Sequence, residues 1–194
     1  MGRGNKMEKQ NKARFSSWAA PVICLFLCTG LWAQEEFQAR LFPDVGPGSQ
    51  RAEKIIISVD SYTSSEEVYQ LIETYNNRGY DQFRAVLRGM KKGILRPIGG
   101  RGIQIIFHAA QSIPTEKGRK IVLVGESQSW NLDSSLRYDS RFPFLVVELS
   151  LNEKGKGSGN IYLSADIKLT GQGTIERDAY NAPPKQLLGV AVLK

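Results

Sequence analysis

Apolar and polar positions change period several times along the chain, and those changes mark out its elements. From Lys54 to Tyr62 the run Ile55-Ile56-Ile57-Ser58-Val59 is β-branched and partly alternating, which predicts a strand. The period then becomes helical. Ser64 and Glu67 have the spacing of a capping box, and Val68, Leu71, Ile72 and Tyr75 follow at i, i+3, i+4 and i+7, on one stripe. Gly79 stops this stripe, Asp81 stands where it can cap a second helix, and Phe83, Val86, Leu87 and Met90 repeat the spacing. The expectation is an αα-hairpin turning across Arg78-Gly79-Tyr80, both stripes facing a common partner.

From Gly93 onward the pattern is strand and turn. Ile103, Ile105 and Phe107 alternate after a glycine turn, and Lys120–Val124 and Phe144–Leu151 are compact apolar runs. Residues 126–141 lack periodicity. Ile161, Leu163, Ala165, Ile167 and Leu169 alternate with polar or amphipathic neighbours, so one face should be wet, which favours antiparallel pairing. Weaker strands are expected at 174–177 and 187–193. The fold class is therefore α+β: an antiparallel sheet, small sandwich or open barrel of seven or eight strands, with the αα-hairpin packed on it.

The amino-terminal segment has a different pattern. Arg3, Lys6, Lys9, Lys12 and Arg14 precede a charge-free stretch from Ser16 to Gln34, whose centre is Val22-Ile23-Cys24-Leu25-Phe26-Leu27-Cys28. A basic start, a short apolar centre and a small residue before a polar segment are the parts of a signal peptide, with cleavage expected near Ala33. A retained transmembrane helix would need about 20 apolar residues, and Pro21 and Gly30 interrupt this shorter stretch. Bulky Leu27 before Cys28 disfavours a lipoprotein signal. Residues 1–33 read as signal, 34–50, with Pro43, Gly46, Pro47 and Gly48, as a linker or arm, and 51–194 as one domain. The expected location is secreted or periplasmic.

Removing residues 1–33 changes the composition. Of the 26 basic and 19 acidic residues, 21 and 18 remain, lowering the net charge from +7 to +3. That is too little to predict bulk affinity for nucleic acid, the least favoured partner. Both cysteines, Cys24 and Cys28, go with the signal, which excludes disulfides, thiolate metal sites and cysteine nucleophiles from the remainder.

Several segments together resemble a family of small, uncharacterised exported bacterial proteins. They are Tyr62-Thr63-Ser64 with Glu66-Glu67; Ile113 to Glu116 with Gly118-Arg119 and Ile121-Val122-Leu123; Phe142-Pro143-Phe144; and Gly155-Lys156-Gly157 with Gly159. The likeness covers roughly residues 52–180 and implies no activity and no catalytic residue. The chain departs from the family pattern at Gly125-Glu126-Ser127, where relatives tend to read threonine-aspartate-arginine.

Candidate chemistry is sparse. His108 is the only histidine and should point away from Phe107; a zinc site would need three or four ligands, so neither a metal nor a cofactor is expected. Gly99-Gly100-Arg101-Gly102 and Gly155 to Gly159 lead into strands, whereas a phosphate loop leads into a helix, so both read as hairpin turns. No acid falls between Asp81 and Glu116, where Arg84, Arg88, Lys91, Lys92, Arg96 and Arg101 lie. Arg84, Arg88 and Lys91 form a basic stripe at i, i+4 and i+7, suited to an anionic envelope component, or else balanced by acids within the fold. The stretch 127–144 brings Trp130, Tyr138 and Arg141 among Asp133 and Asp139, a second candidate for binding.

The expected function is a non-enzymatic exported binding or envelope-associated module, with an anionic envelope component or another exported protein as partner. One alternative is a carbohydrate-active enzyme using carboxylates such as Glu126, Asp133 or Asp139 near Trp130. A structural subunit of an envelope assembly is the other. Expression of the whole chain with an intact export pathway should yield a product whose mass starts at or within a few residues of Gln34; intact-mass spectrometry showing only full-length protein would refute the signal.

Overall fold

The computed structural model describes residues 34–42, 52–98, 104–127 and 141–193. The signal segment, Gly99 to Gly102, Trp130, Asp133, Tyr138 and Asp139 lie outside them.

Nine strands and one helical element make up the described fold: β1 (Glu35–Leu41), β2 (Glu53–Val59), α1 (Ser65–Gly89), β3 (Gly93–Pro97), β4 (Ile105–Thr115), β5 (Gly118–Glu126), β6 (Phe144–Asn152), β7 (Lys156–Leu169), β8 (Ile175–Tyr180) and β9 (Lys185–Leu193). β1 to β7 form a meander in which each strand pairs antiparallel with the next. β9 then pairs with both β7 and β1 and closes the wall. The result is an eight-stranded antiparallel barrel, where the sequence pattern had suggested a sandwich or an open barrel. β8 stays outside the ring and pairs only with β7, along its far part from Ala165 to Leu169.

The segment expected to be a linker supplies one of these staves. Phe37, Ala39 and Leu41 of β1 point inward and are buried, while Gln38 and Arg40 point outward. This period-two pattern is short and borders a Pro- and Gly-rich run, whose composition dominates a reading by window. Placing β1 between β2 and β9 makes it part of the wall and not an arm.

Two apolar layers stabilise the molecule. The barrel interior is filled by side chains from every stave, among them Phe37, Ile57, Leu95, Phe107, Leu123, Val147, Leu163 and Leu187. A second layer lies between the outside of the barrel and α1: Val68, Leu71, Phe83 and Leu87 from the helix meet Ala109, Val122, Val124, Phe144, Val146 and Tyr162. This explains the unbroken apolar runs of β5 and β6. Ile121, Leu123, Leu145 and Val147 face inward, and Val122, Val124, Phe144 and Val146 face the helix. Tyr162 of β7, expected to be wet, is buried on that same side, and Ser164 is buried as well.

The expected αα-hairpin is replaced by a single helical element with one break. Ser64 forms the capping box with Glu67 as its spacing predicted, but no second helix starts at Asp81. Gly79 alone leaves helical geometry, at φ 81° and ψ 179°, a region open essentially to glycine. An unbroken helix of 25 residues would be about 37 Å long. Here its ends meet: Lys92 Nζ lies 2.7 Å from Glu67 Oε1, and the Asp60 N–H donates to the Lys92 carbonyl at 2.8 Å. The element therefore folds back at Gly79 without a separating loop.

Gly79→Ala should lower stability by about 1–3 kcal/mol through this backbone restriction. Gly89→Ala, where a Cβ meets nothing within 4 Å, should be neutral or stabilising by up to about 1 kcal/mol. Urea unfolding of the two variants beside the parent measures both.

Candidate functional site

The sequence candidates are distributed as follows. Arg84 and Arg88 reach from α1 to Glu126 at the end of β5; the Arg84 pair is 3.3 Å long. One carboxylate thus compensates two of the three charges of the basic stripe, while Lys91 is exposed. Lys92 pairs with Glu67 and Arg96 with Glu36. Glu126 has the same engagement as its outcome, so it is a structural anchor for α1. Arg141 is exposed, with its guanidinium 5.7 Å from the Phe142 ring.

His108 also has a structural task. It is the extra residue where the β4–β5 register shifts between Phe107 and Ala109. Its Nδ1 lies 3.0 Å from the Met90 carbonyl at the end of α1, which requires Nδ1 to be the donor. The bulge leaves Phe107 inside the barrel and puts Ala109 under the helix. The glycine run at 155–159 is a hairpin turn: Asn152 Oδ1 accepts from the Lys154 and Lys156 N–H groups, at 2.9 and 3.1 Å.

A more suggestive site forms where β7 leaves the barrel. Between Tyr162 and Ala165 its register with β6 shifts, so that Leu163 stays inside the barrel while Ala165, Ile167 and Leu169 pack in the layer under α1. Between this extension and the helix lies a cleft of about 340 Å³, at the lower end of small-molecule sites at about 300–1,000 Å³. Ile72, Tyr75, Tyr80 and Phe83 wall one side, and Asp166, Lys168 and Asp178 contribute charge. Asn76 completes the polar lining.

The aromatic wall is organised by its own contacts. Tyr75 meets Tyr80 and Phe83 edge to face at centroid distances of 6.4 and 5.9 Å, and Phe83 abuts Phe144 at 6.4 Å. Phe83 is buried and fixes the group, whereas Tyr75 and Tyr80 remain 51% and 37% exposed, so their rings are open to a ligand. Break and wall are linked, because Gly79 brings Tyr75 and Tyr80 together from the two limbs of α1.

Two carboxyl groups share the cleft. Burial raises the Asp166 carboxyl above its ordinary value, and the like charge of Asp178 adds to this, against a 2.9 Å hydrogen bond from the Ile167 N–H. Glu67 contrasts with it: burial pushes its carboxyl up, but the Lys92 ammonium and the Ser64 N–H outweigh that and hold it below the ordinary range. β8 itself is fastened from behind. Arg177 stacks over Tyr162 and Tyr180 at 4.1 and 5.0 Å, and buried Gln111 donates to the Gly173 carbonyl and accepts from the Ile175 N–H.

Among the described residues no helix is long and apolar enough to cross a membrane, and no group of three His, Cys, Asp or Glu side chains is placed to hold a metal ion. Comparison with family models, curated proteins and solved structures gave no significant match. The site is therefore read from its own geometry.

A raised carboxyl has a definite stability signature. The Asp166 contribution is fully present below the unfolded value near 3.8 and is lost as pH rises through the higher folded value. Asp166→Asn should therefore be more stable than the parent at neutral pH, with the difference shrinking toward zero below pH 3.8. Urea midpoints across this range give the result.

Proposed function

We propose that the chain is an exported, non-enzymatic binding module whose ligand is a saccharide held in the cleft between α1 and the β7–β8 extension. The barrel is the scaffold for this site and not its container, because its interior is occupied by buried side chains. The observation that carries the reading is the meeting of two exposed tyrosine rings with Asn76, Asp166 and Asp178 in one cleft. Ring faces suit the apolar faces of a sugar, and carboxylates and an amide accept from or donate to its hydroxyls. The signal-like segment supports export, where polymeric saccharides are plentiful.

An anionic partner on the Arg84, Arg88 and Lys91 stripe has less support, since Glu126 already occupies two of its three cations. Carbohydrate hydrolysis is a second reading, favoured by one fact: the Asp166 carboxyl retains its proton to higher pH beside a second acid. Glycosidases need such a pair at roughly 5–10 Å separation.

Glycan-array screening followed by calorimetry should find a bound oligosaccharide, with Tyr75→Ala and Asp178→Asn each weakening it at least tenfold while circular dichroism stays unchanged. Absence of binding to any glycan, or binding indifferent to both changes, refutes the saccharide reading. Release of reducing ends that Asp166→Asn abolishes would convert the module into an enzyme.

A further inference from the structure

A second concavity lies on another part of the barrel and shares no residue with the tyrosine cleft. It has a volume of about 440 Å³ and is bordered by Gln38, Arg40, Phe42, Lys54, Ile98 and Leu188. Three observations converge on it.

The first is an opposition of like charges. Arg40 on β1 stands directly across from Lys54 on β2, an arrangement that weakens a sheet unless something compensates it. Among the described residues neither cation has an ion-pair partner. The acid on the same face of β1, Glu36, accepts from Ser58 at 2.9 Å and lies 3.7 Å from Arg96.

The second is the apolar rim. Phe42, Ile98 and Leu188 are 42%, 46% and 42% exposed, though each is large and hydrophobic. The third is the shape of the wall. Between Gln38 and Arg40, β1 advances two residues while β9 advances three, from Ala191 to Leu188. Gly189 occupies this bulge at φ 62°, and a Cβ there would meet nothing within 4 Å. A bulge with glycine in the left-handed region bends the strand locally, and here it leaves the hollow open beside two cations.

We propose that this hollow binds a single anionic amphiphile, a carboxylate or phosphate head between Arg40 and Lys54 with an acyl chain lying over Phe42, Ile98 and Leu188. The head removes the repulsion between the two cations. The tail covers the rim. Neither a simple anion nor a neutral hydrocarbon satisfies both halves of the site.

Calorimetric titration of the purified protein with decanoate, 1-decanol and acetate, each below its aggregation limit, tests this. Decanoate should bind at least tenfold more tightly than 1-decanol, and acetate should not bind measurably. Arg40→Glu replaces the opposed like charges with an opposite pair, so the fold should be at least as stable in urea while decanoate affinity falls at least tenfold. Leu188→Ser should weaken decanoate binding as well. Equal binding of decanoate and 1-decanol, or an affinity that survives Arg40→Glu, overturns the proposal. So does co-sedimentation with phosphatidylglycerol vesicles without uptake of free decanoate, which would make the face a membrane-docking surface. If decanoate binds as stated, depletion of the protein by those vesicles separates a bilayer source of the amphiphile from a free one.

Discussion

Strands β5 and β6 are apolar on both faces, and most of the architecture is a response to that. Their inward side chains close a barrel core, but Val122, Val124, Phe144 and Val146 would be left facing water. Burying a side chain of this size favours the fold by about 1.5–3 kcal/mol, so a second covering layer follows. The chain supplies it with α1, inserted between β2 and β3 and fastened by Thr63 to Ala110 and by Arg84 and Arg88 to Glu126. The cleft is the gap where this cover meets the departing end of β7.

That dependence separates the roles of charged residues. Glu126 joins helix to barrel, Lys92 joins the two ends of α1 through Glu67, and Glu148 receives Lys120 and Arg177 on the outer wall. Such residues hold elements in register. Asp166 and Asp178 differ in both lining the cleft, where the like charge of one acts on the other.

Legibility in the sequence followed the range of the interaction. The capping box at Ser64, the helical stripes, and the strands at β2, β5, β6 and β9 were visible because each rests on neighbours within about ten residues. β1 was obscured by the Pro- and Gly-rich composition that follows it. Barrel closure could not be read, since it depends on β9 finding both β1 and β7. The basic stripe was visible, but Glu126, its compensating acid, lies 42 residues from Arg84. The tyrosine cleft left no linear signal at all: Tyr75 looked like an ordinary helix position, Tyr80 like part of a turn, and Asp166 like one polar step in an alternating strand. Only the β6–β7 register shift before Ala165 and the Gly79 break bring them together.

The seam of the barrel lies between β1 and β9, the first and last strands described. Neighbours in the wall are thus separated by nearly the whole sequence, and the ring cannot be completed until Leu193 has been synthesised. A nascent chain can assemble the β1–β7 meander and seat α1 on it beforehand, because each of those strand pairings joins consecutive strands. Until β9 is made, the outer edges of β1 and β7 stay unpaired, and contacts of such long sequence separation form slowly. Completion of the last strand is therefore the step that commits the chain to its native state.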